Sequence, residues 1–358
     1  MRALVLGGTG AVGRRTSAEL ARKDEVTDLI VGGRDYEPLR RFTSRLGDKV
    51  RPALVEAEGG EQLADACRRV DVVVNCAGPT HLIELPVLTA AIDAGVSYVS
   101  LCNDFTGFGA ATELDGRART TGSTAVPGCG LAPGVTTMLV ALARDELDDV
   151  EEVEISLGLS YGNLPTSAHT AHLLQVLRAP VASISDQELS VERFAGSPHL
   201  VYFPEPVGWV ETVACSHPDV HSSRSPGLRS LTVRLGLTEK AAMDALRALA
   251  TTPLSSINVA QRALAAAHSL PPRGPQWSAA RIDVVGRSRG RTTTVSLGVV
   301  DHLVNLASGP LSLAAVKLGS ERRDPGVKSP TEAFDHREFL AALGKHGTRV
   351  ARLEPVPL

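Results

Sequence analysis

The chain has 358 residues, of which 43% are hydrophobic, so it exceeds the usual size of one hydrophobic core and is expected to form two domains. Its 37 lysines and arginines nearly balance 40 aspartates and glutamates, and a net charge of −3 excludes the large basic excess typical of nucleic-acid binding. The five cysteines are widely spaced and form no C-x-x-C pair, which predicts reduced thiols and no metal site. There is no signal region and no apolar run near the roughly 18 residues that span a bilayer, so we expect a cytoplasmic protein with no membrane segment.

The first 126 residues alternate short apolar runs, rich in β-branched residues, with stretches of helical spacing. Continuous apolar strands separated by helices are typical of a parallel sheet covered on both faces. Strands are expected at 3–7, 28–33, 50–57, 70–78, 97–101 and 123–128, and helices at 12–22, 37–46, 60–69, 83–94 and 109–120. This pattern predicts an α/β domain of the doubly wound, Rossmann type.

A glycine-rich motif, Gly8-x-Gly10-x-x-Gly13, directly follows the first strand and opens the first helix. In that context Gly8 would permit the tight turn, Gly10 would let the backbone approach a pyrophosphate, and Gly13 would let helix and strand pack closely. The amides at the helix start would then face the phosphates of a dinucleotide. The predicted cofactor contacts in this loop are Gly8, Thr9, Gly10, Ala11, Val12 and Gly13.

The end of the second strand indicates which dinucleotide is bound. A site that prefers NAD carries Asp or Glu there, whereas this chain has Gly32-Gly33-Arg34. Because the Arg34 guanidinium can meet a 2′-phosphate, we predict that NADP(H) is preferred, with NAD(H) as the alternative. Asp35, one residue later, could reach a ribose hydroxyl or could simply cap the next helix.

A second loop of the predicted cofactor site follows the fourth strand. In a doubly wound sheet, ligands lie beyond the carboxyl ends of the strands, so this loop should run beneath the nicotinamide ribose. The alternative is an ordinary turn between a strand and a helix. The residues predicted to contact cofactor here are Asn75, Cys76, Ala77, Gly78 and Pro79.

After Pro127 the pattern changes to that of an α+β domain with a largely antiparallel sheet. Residues 196–227 contain five of the 22 prolines and are predicted to form a long loop over a site. The tail should carry a helix capped by Ser329 or Thr331, followed by a short strand. The remaining elements are helices within 131–147 and at 238–250, strands within 150–162 and at 228–237, and a hairpin over 279–300.

Several motifs in this order give the chain a resemblance to a known family. They are GGTGAVG followed by GGR, VDVVVNCAGP followed by LPVLTAAIDAGVSYV, GCGLAPGVTTMLVA, and the closing GVKSPTEAFDHREFLAALGKHGTRV. On these motifs the chain resembles the saccharopine dehydrogenase-like family of NAD(P)-dependent oxidoreductases, in its saccharopine reductase branch. The resemblance implies a Rossmann domain at 1–128, an α+β domain at 129–325 that binds substrate and forms a homodimer, and a segment at 326–358 that returns to the Rossmann domain.

The resemblance also implies a reaction at a carbon–nitrogen bond. Relatives reduce the imine formed between an amine or amino acid and a carbonyl compound, or oxidise a secondary amine in reverse. We therefore expect a small polar amine or amino acid as substrate. The chain departs from many relatives in one place: their fifth strand ends in Y-x-D, whereas Tyr98-Val99-Ser100 ends in serine, and the acidic function is expected to move to Asp104.

Imine reduction requires a proton for the nitrogen, so the catalytic candidates are side chains that can donate one. Asp104 and Tyr98, at and after the fifth strand, are the first candidates, although Asp104 could instead cap a helix. The resemblance places Cys129 beside the cofactor as part of the pocket, and not as a nucleophile. His169, near the start of a helix, is a further candidate donor.

Substrate binding is predicted in the second domain. Ser167 and Thr170 lie at the expected start of a helix, where hydroxyls and free amides suit a carboxylate, and Tyr161 lies just before them. Arg224 is the predicted carboxylate partner. Other arginines available for that task are Arg178, Arg193 and Arg229.

Three alternatives remain open from the sequence. Cys215-x-His217-x-Asp219-x-His221 could in principle gather around zinc, but a substrate-facing or solvated loop is the favoured interpretation. A reductase of carbon–carbon double bonds, of the enoyl reductase type, would share the GGxGxxG and GGR pattern. A non-catalytic NADP-binding protein would bind cofactor without catalytic side chains.

Overall fold

The structure, a computed structural model, describes residues 1–163, 167–192, 197–250, 276–321, 323–345 and 347–354. The strands are β1 Arg2–Leu6, β2 Asp28–Gly33, β3 Val50–Leu54, β4 Val72–Asn75, β5 Ser97–Ser100, β6 Thr124–Val126, β7 Asp149–Leu159, β8 Val181–Ser185, β9 Glu188–Glu192, β10 His199–Phe203, β11 Gly208–Ala214, β12 Ser230–Leu237, β13 Ser278–Ser288, β14 Arg291–Asp301, β15 Gly326–Val327 and β16 Arg349–Arg352. The helices are α1 Ala11–Ala21, α2 Tyr36–Thr43, α3 Glu61–Cys67, α4 Thr80–Asp93, α5 Phe105–Thr112, α6 Asp115–Thr121, α7 Val135–Arg144, α8 Ser167–Arg178, α9 Asp219–Ser222, α10 Lys240–Ala250, α11 Leu303–Ser320, α12 Pro330–Ala333 and α13 His336–Lys345. A 3₁₀ helix covers Tyr161–Asn163.

The chain forms two compact units, each built from two separate segments. The first contains Met1–Val135 and Val304–His346, and the second contains Thr136–Leu303 and Gly347–Leu358. The boundaries expected at 128 and 325 therefore differ from these divisions, since α11 belongs to the first unit. Two serines of α11 donate hydrogen bonds to Glu19 of α1, and the helix buries its apolar face, including Leu311, Ala314 and Ala315.

The first unit is the predicted doubly wound domain. Its seven strands pair in the order β15-β6-β5-β4-β1-β2-β3, and each pair is parallel. Strand order reverses between β1 and β4, where the carboxyl ends of the strands open a crevice for a ligand. The strands form because their apolar residues are buried on both faces, as in β4, where all four residues are buried.

The first four helices of this unit follow the predicted pattern, whereas α11 was not predicted and two other places differ. The single helix expected at 109–120 is two helices, α5 and α6, and α5 begins earlier, where the Asp104 side chain accepts a hydrogen bond from the Gly107 N–H at 2.6 Å. In the tail, Ser329 forms a capping box with Glu332, as predicted. It caps the four-residue α12, however, and α13 begins separately after Asp335, whose side chain accepts from the Glu338 N–H.

The second unit is built on a nine-stranded sheet. Its main order is β10-β11-β12-β7-β13-β14-β16, with β8 and β9 attached through β12. The sheet is mostly antiparallel, but β7 and β12 are parallel. The predicted hairpin is confirmed: β13 and β14 are joined at Arg289 and Gly290, with φ of 51° and 76°, the left-handed conformation of a tight two-residue turn.

The predicted long loop at 196–227 is wrong for its described part, which starts at residue 197. It contains the hairpin β10–β11 and the short helix α9. Pro204 and Pro206 lie in the turn between the two strands, where no ladder hydrogen bond is lost, so the prolines do not prevent strand formation. Val201 and Phe203 are buried on one face of this hairpin.

No helix in the part of the chain that the structure describes is long and apolar enough to cross a membrane.

Candidate functional site

The tight turn after β1 is made by Gly7. Gly7 has φ +72°, and a Cβ there would lie 2.7 Å from the Ala77 backbone nitrogen of the neighbouring loop. The turn role was predicted for Gly8, and this assignment is corrected. Gly8 is needed for another reason: a Cβ there would lie 2.1 Å from Cγ1 of Val31 on β2, because the Gly8 N–H donates to the Gly32 carbonyl at 3.1 Å.

The start of α1 has the geometry of a phosphate-binding loop. A Cβ on Gly13 would lie 2.2 Å from the Gly7 carbonyl oxygen, so only glycine lets the helix approach the turn, as predicted. Gly10 caps α1 without a side-chain hydrogen bond, and no acidic residue lies in the first helical turn. A Cβ on Gly10 would meet a single described atom within 4 Å, the Gly7 oxygen at 3.3 Å. Amides and the positive end of the helix dipole are thus presented in a cradle that side chains would fill, which fits a pyrophosphate.

The end of β2 presents an exposed arginine without an ion pair to any described residue. Arg34 is exposed and follows Gly33, and Asp35 occupies the N-cap position of α2 without a side-chain hydrogen bond. The capping alternative for the Asp35 carboxylate is therefore not what the structure shows. Glu37, the acid closest to this point in α2, is ionised and already paired: hydrogen bonds from Arg40 and Arg41 lower its pKa to about 2.

Arg14 was not among the residues predicted to contact the cofactor. Its guanidinium lies 5.3 Å from the centre of the Phe42 ring of α2, and its Nε donates to the Thr9 carbonyl at 2.9 Å. A cation is thereby held between the glycine-rich loop and the helix that follows β2. Its position in the sequence, one residue after Gly13, was the signal that could have identified it.

The loop after β4 is shaped by Asn75. Asn75 is 2% exposed; its Oδ1 accepts from the Ala77 N–H at 3.0 Å, and its Nδ2 donates to the Tyr98 hydroxyl at 3.0 Å. The Asn75 side chain therefore fixes the shape of the turn and does not face outward. Gly78 is exposed, with only the Thr80 nitrogen, at 3.8 Å, near a Cβ placed on it, so the open part of the loop lies there. Cys76 contacts Thr16, and burial raises the pKa of its thiol to about 12.

Glu84 is a second functional candidate that was not predicted from the sequence. It lies on α4, is 1% exposed, and its Oε1 accepts from the Ser100 hydroxyl at 2.7 Å. Burial raises the pKa of Glu84 to about 7, although hydrogen bonds from Ser100 and Tyr98 act in the opposite direction. The Ser100 oxygen also accepts from the backbone N–H of Cys102 and Gly128, at 3.2 and 3.4 Å. A buried ionisable group thus lies at the carboxyl end of β5, in the position where the family resemblance leads us to expect an acid.

The three catalytic candidates of the first unit are all enclosed. Tyr98 is fully buried, and burial raises its pKa well above the usual value. Asp104 is 8% exposed and caps α5, which is the structural alternative stated for it. Cys129 is fully buried, its N–H donates to the Ser100 carbonyl at 2.7 Å, and burial raises the pKa of its thiol to about 12. In this structure they position backbone and loops, so a catalytic role for them stays a prediction.

The candidates of the second unit are only partly described. The side chains of Ser167, His169 and Thr170 lie outside the described side chains, although their backbone forms the first turn of α8, as predicted. Tyr161 is 8% exposed, and its N–H donates to Glu239 at 2.7 Å. Arg224 is exposed and donates to the Gln187 carbonyl at 3.3 Å.

The other arginines are less available than predicted. Arg178 donates to the carbonyls of Leu249 and Ala250, and Arg229 forms an ion pair with Glu152. Arg193 lies outside the described residues.

The alternating Cys-His-Asp-His segment surrounds a buried carboxylate. Asp219 is fully buried and accepts hydrogen bonds at 3.0 Å from the hydroxyls of Thr136 and Thr137, while His217 Nδ1 lies 3.1 Å from its Oδ2. Within the described residues, no group of three or more His, Cys, Asp or Glu side chains could hold a metal ion. The segment therefore anchors α9 to the start of α7.

The comparisons with known proteins identify what the first unit is similar to. Residues 3–126 match the family model of the saccharopine dehydrogenase NADP binding domain, so the resemblance seen in the sequence is confirmed. A carboxyaminopropylagmatine dehydrogenase of Synechocystis sp. is 25% identical over 168 residues, which are 43% of this chain and 41% of that protein. A saccharopine dehydrogenase-like oxidoreductase of Rattus norvegicus is 25% identical over 116 residues, 28% of this chain and 27% of that protein. The matched stretches thus span less than half the length of these relatives.

The whole fold also has a counterpart among solved structures. The apo saccharopine dehydrogenase (L-Glu forming) of Saccharomyces cerevisiae is similar with a TM-score of 0.70 and 13% identity, and the match covers 99% of this chain and 100% of that one. At this level of identity the similarity shows a shared fold.

Proposed function

We propose that the protein is an NADP(H)-dependent oxidoreductase that acts on a carbon–nitrogen bond, because residues 3–126 match the saccharopine dehydrogenase NADP binding domain. In the proposed reaction it reduces the imine formed from an amine or amino acid and a carbonyl compound, or oxidises a secondary amine in reverse. The observation that carries the cofactor assignment is the glycine cradle at the start of α1. The names of the similar proteins, a carboxyaminopropylagmatine dehydrogenase and a saccharopine dehydrogenase, support a small polar amine or amino acid as substrate.

Different residues of the first unit would contact different parts of the cofactor. The amides of the loop from Gly8 to Gly13 would hold the pyrophosphate, with the helix dipole favouring its negative charge. Arg34, which has no ion-pair partner among the described residues, would meet the 2′-phosphate, and Arg14 of α1, whose Nε donates to the Thr9 carbonyl, supplies a second cation. The bound cofactor would supply or accept the hydride.

The nicotinamide side of the site is provided by the loop after β4. Asn75 holds this loop in shape from below, and Gly78 leaves its outer side open. On the substrate side we retain His169 as the candidate proton donor, and Tyr161, Ser167, Thr170 and Arg224 as candidate contacts. We also propose that the protein acts as a homodimer.

The proposal is tested by cofactor titration followed by turnover. NADPH should bind at least about tenfold more tightly than NADH by fluorescence titration, a difference of about 1.4 kcal/mol, and Arg34→Ala should remove that preference. Arg41→Ala is the matched control, because Arg41 is exposed on α2 and paired with Glu37. NADPH oxidation would then be followed with panels of amines and amino acids mixed with carbonyl compounds. Equal binding of NADH and NADPH would contradict the assignment to Arg34.

A further inference from the structure

A hydrogen-bonded group joins helix α4 to two loops at the carboxyl edge of the first sheet. Ser100, the last residue of β5, donates its hydroxyl proton to Glu84 on α4 and accepts from the backbone of Cys102 and Gly128. The Ser100 carbonyl accepts from the Cys129 N–H at 2.7 Å. Glu84 is therefore linked through one serine to the loop after β5 and to the segment after β6.

The hydrogen-bonding capacity of the Glu84 carboxyl group is only partly used. Among the described residues, none meets hydrogen-bond geometry at Oε2, although Glu84 is 1% exposed and the Tyr98 hydroxyl lies close enough to lower its pKa. A buried carboxyl oxygen without a partner is costly, so its retention calls for a reason other than stability. Ser100 stands where the resemblance leads us to expect an aspartate, and Glu84 brings a carboxyl group back to that place from the neighbouring helix.

The topology places this carboxyl group on the nicotinamide half of the sheet. Strand order reverses between β1 and β4, and β2, which ends at Arg34, lies on the other side of that point. In doubly wound sheets the adenosine half lies over the β2 side and the nicotinamide half over the side of β4 and β5. A nicotinamide ring carries a positive charge when oxidised and none when reduced, so a nearby fixed charge acts differently on the two forms.

We propose that Glu84 is the charge that sets the redox preference of the cofactor site: when ionised it favours NADP⁺ over NADPH, and when protonated it does not. This rests on the proposed binding of NADP(H). The carboxyl group acts through space from the carboxyl end of β5, in a poorly polarisable surrounding where such interactions are stronger than in water.

The Glu84 carboxyl group can change its protonation state near neutral pH. Burial raises its pKa to about 7. Tyr98 on β5 and Cys102 just after it both experience the Glu84 charge, and burial keeps them neutral by raising their pKa values well above the usual ones. Asp104 acts on Cys102, and on α4 itself Asp93 is paired with Arg117 at the far end of the helix.

The test compares the affinities of NADP⁺ and NADPH at pH 6.0 and pH 8.5 by calorimetry or fluorescence. For the unmodified protein, the ratio Kd(NADPH)/Kd(NADP⁺) should be about tenfold higher at pH 8.5 than at pH 6.0. The 2′-phosphate titrates equally in both forms, so it cancels in the ratio. In Glu84→Gln the ratio should be the same at both pH values.

Two further variants separate charge from structure. Asp71→Asn removes a carboxylate just before β4, at the amino edge of the same sheet, where Asp71 pairs with Arg2 at 2.7 Å; it should leave the pH dependence intact. Ser100→Ala keeps the Glu84 carboxyl but removes a hydrogen bond that lowers its pKa, so the midpoint of the pH dependence should move upward.

Each outcome decides between the two proposals. A ratio that does not change with pH in the unmodified protein, or that changes equally in Glu84→Gln, would overturn the assignment to Glu84 while leaving the proposed function standing. If neither form of the cofactor bound at either pH, the proposed function would be overturned, and this assignment with it.

Discussion

Asn75 and Tyr98 illustrate how burial changes what a polar side chain can do. Both belong to residue types common in active sites, yet they are 2% and 0% exposed and hydrogen-bond to each other. Buried polar atoms need partners, and once those are found the side chains are held in place. Their contribution to a reaction would be the shape of the loop after β4 and the position of the carboxyl end of β5.

The raised pKa of Glu84 makes the stability of the protein depend on pH. Its value in the folded state is about 7, against 4.5 in the unfolded chain, so the folded state binds the proton more strongly. Stability is therefore highest below pH 4.5 for this group and falls as pH rises through 7, by about 3 kcal/mol in total. Glu84→Gln should lose this slope, which urea denaturation at pH 5 and pH 8 would measure.

The control for that measurement is Glu37→Gln. Glu37 is exposed on α2 and stays ionised over this pH range because its pKa is about 2, so the variant should keep the slope of the unmodified protein. A slope unchanged in Glu84→Gln would show that another group titrates in this range.

Asp219 should be a major contributor to the stability of the second unit. Replacing it with alanine leaves the hydroxyls of Thr136 and Thr137 without their acceptor in a fully buried site. We expect a loss of about 3 kcal/mol in the free energy of unfolding. Asp244→Ala, which removes an exposed partner of Lys240 on α10, should cost less than about 0.5 kcal/mol. A loss of similar size in both variants would contradict the anchoring role of Asp219.

At the scale of elements, the turn between β1 and α1 depends on Gly7. Gly7→Ala would place a Cβ 2.7 Å from the backbone of the loop after β4, in a conformation with φ +72°. Both predicted cofactor loops would have to move apart, so NADPH affinity should fall by at least about tenfold.

Gly344→Ala is the matched control: Gly344 lies in α13 with no described atom within 4 Å of an added Cβ, and the change should stabilise the helix by about 0.5–1 kcal/mol. Titration with NADPH and thermal unfolding of both variants provide the measurement; unchanged affinity in Gly7→Ala would contradict the expected role of the turn.

At the scale of the whole molecule, the cofactor domain is assembled from two distant segments. β15 pairs with β6, and α11 contributes fully buried residues such as Leu311 and Ala314. Residues 1–135 alone should therefore not form a stable fold and should show no cooperative unfolding transition, because the apolar surface that α11 covers would be exposed. The same residues joined by a flexible linker to 304–346 should unfold cooperatively and bind NADPH, as measured by calorimetry.

A matched control is the joined protein with Ala314→Asp, which introduces a charge at a fully buried position and should not fold. Cooperative unfolding of residues 1–135 alone would show that the second segment is dispensable.

Features that depend on local patterns could be predicted from the amino-acid sequence. The alternation of strands and helices, the motif from Gly8 to Gly13 and the position of Arg34 after β2 follow from periodicity and spacing, which neighbouring residues set. Features that depend on residues far apart became visible in the folded structure: the turn at Gly7 in place of Gly8, the link between Glu84 and Ser100, and the place of α11 in the first unit. Burial and hydrogen-bond partners arise when distant segments pack together, so the roles of Tyr98, Asp104 and Cys129 could not be derived from their spacing along the chain.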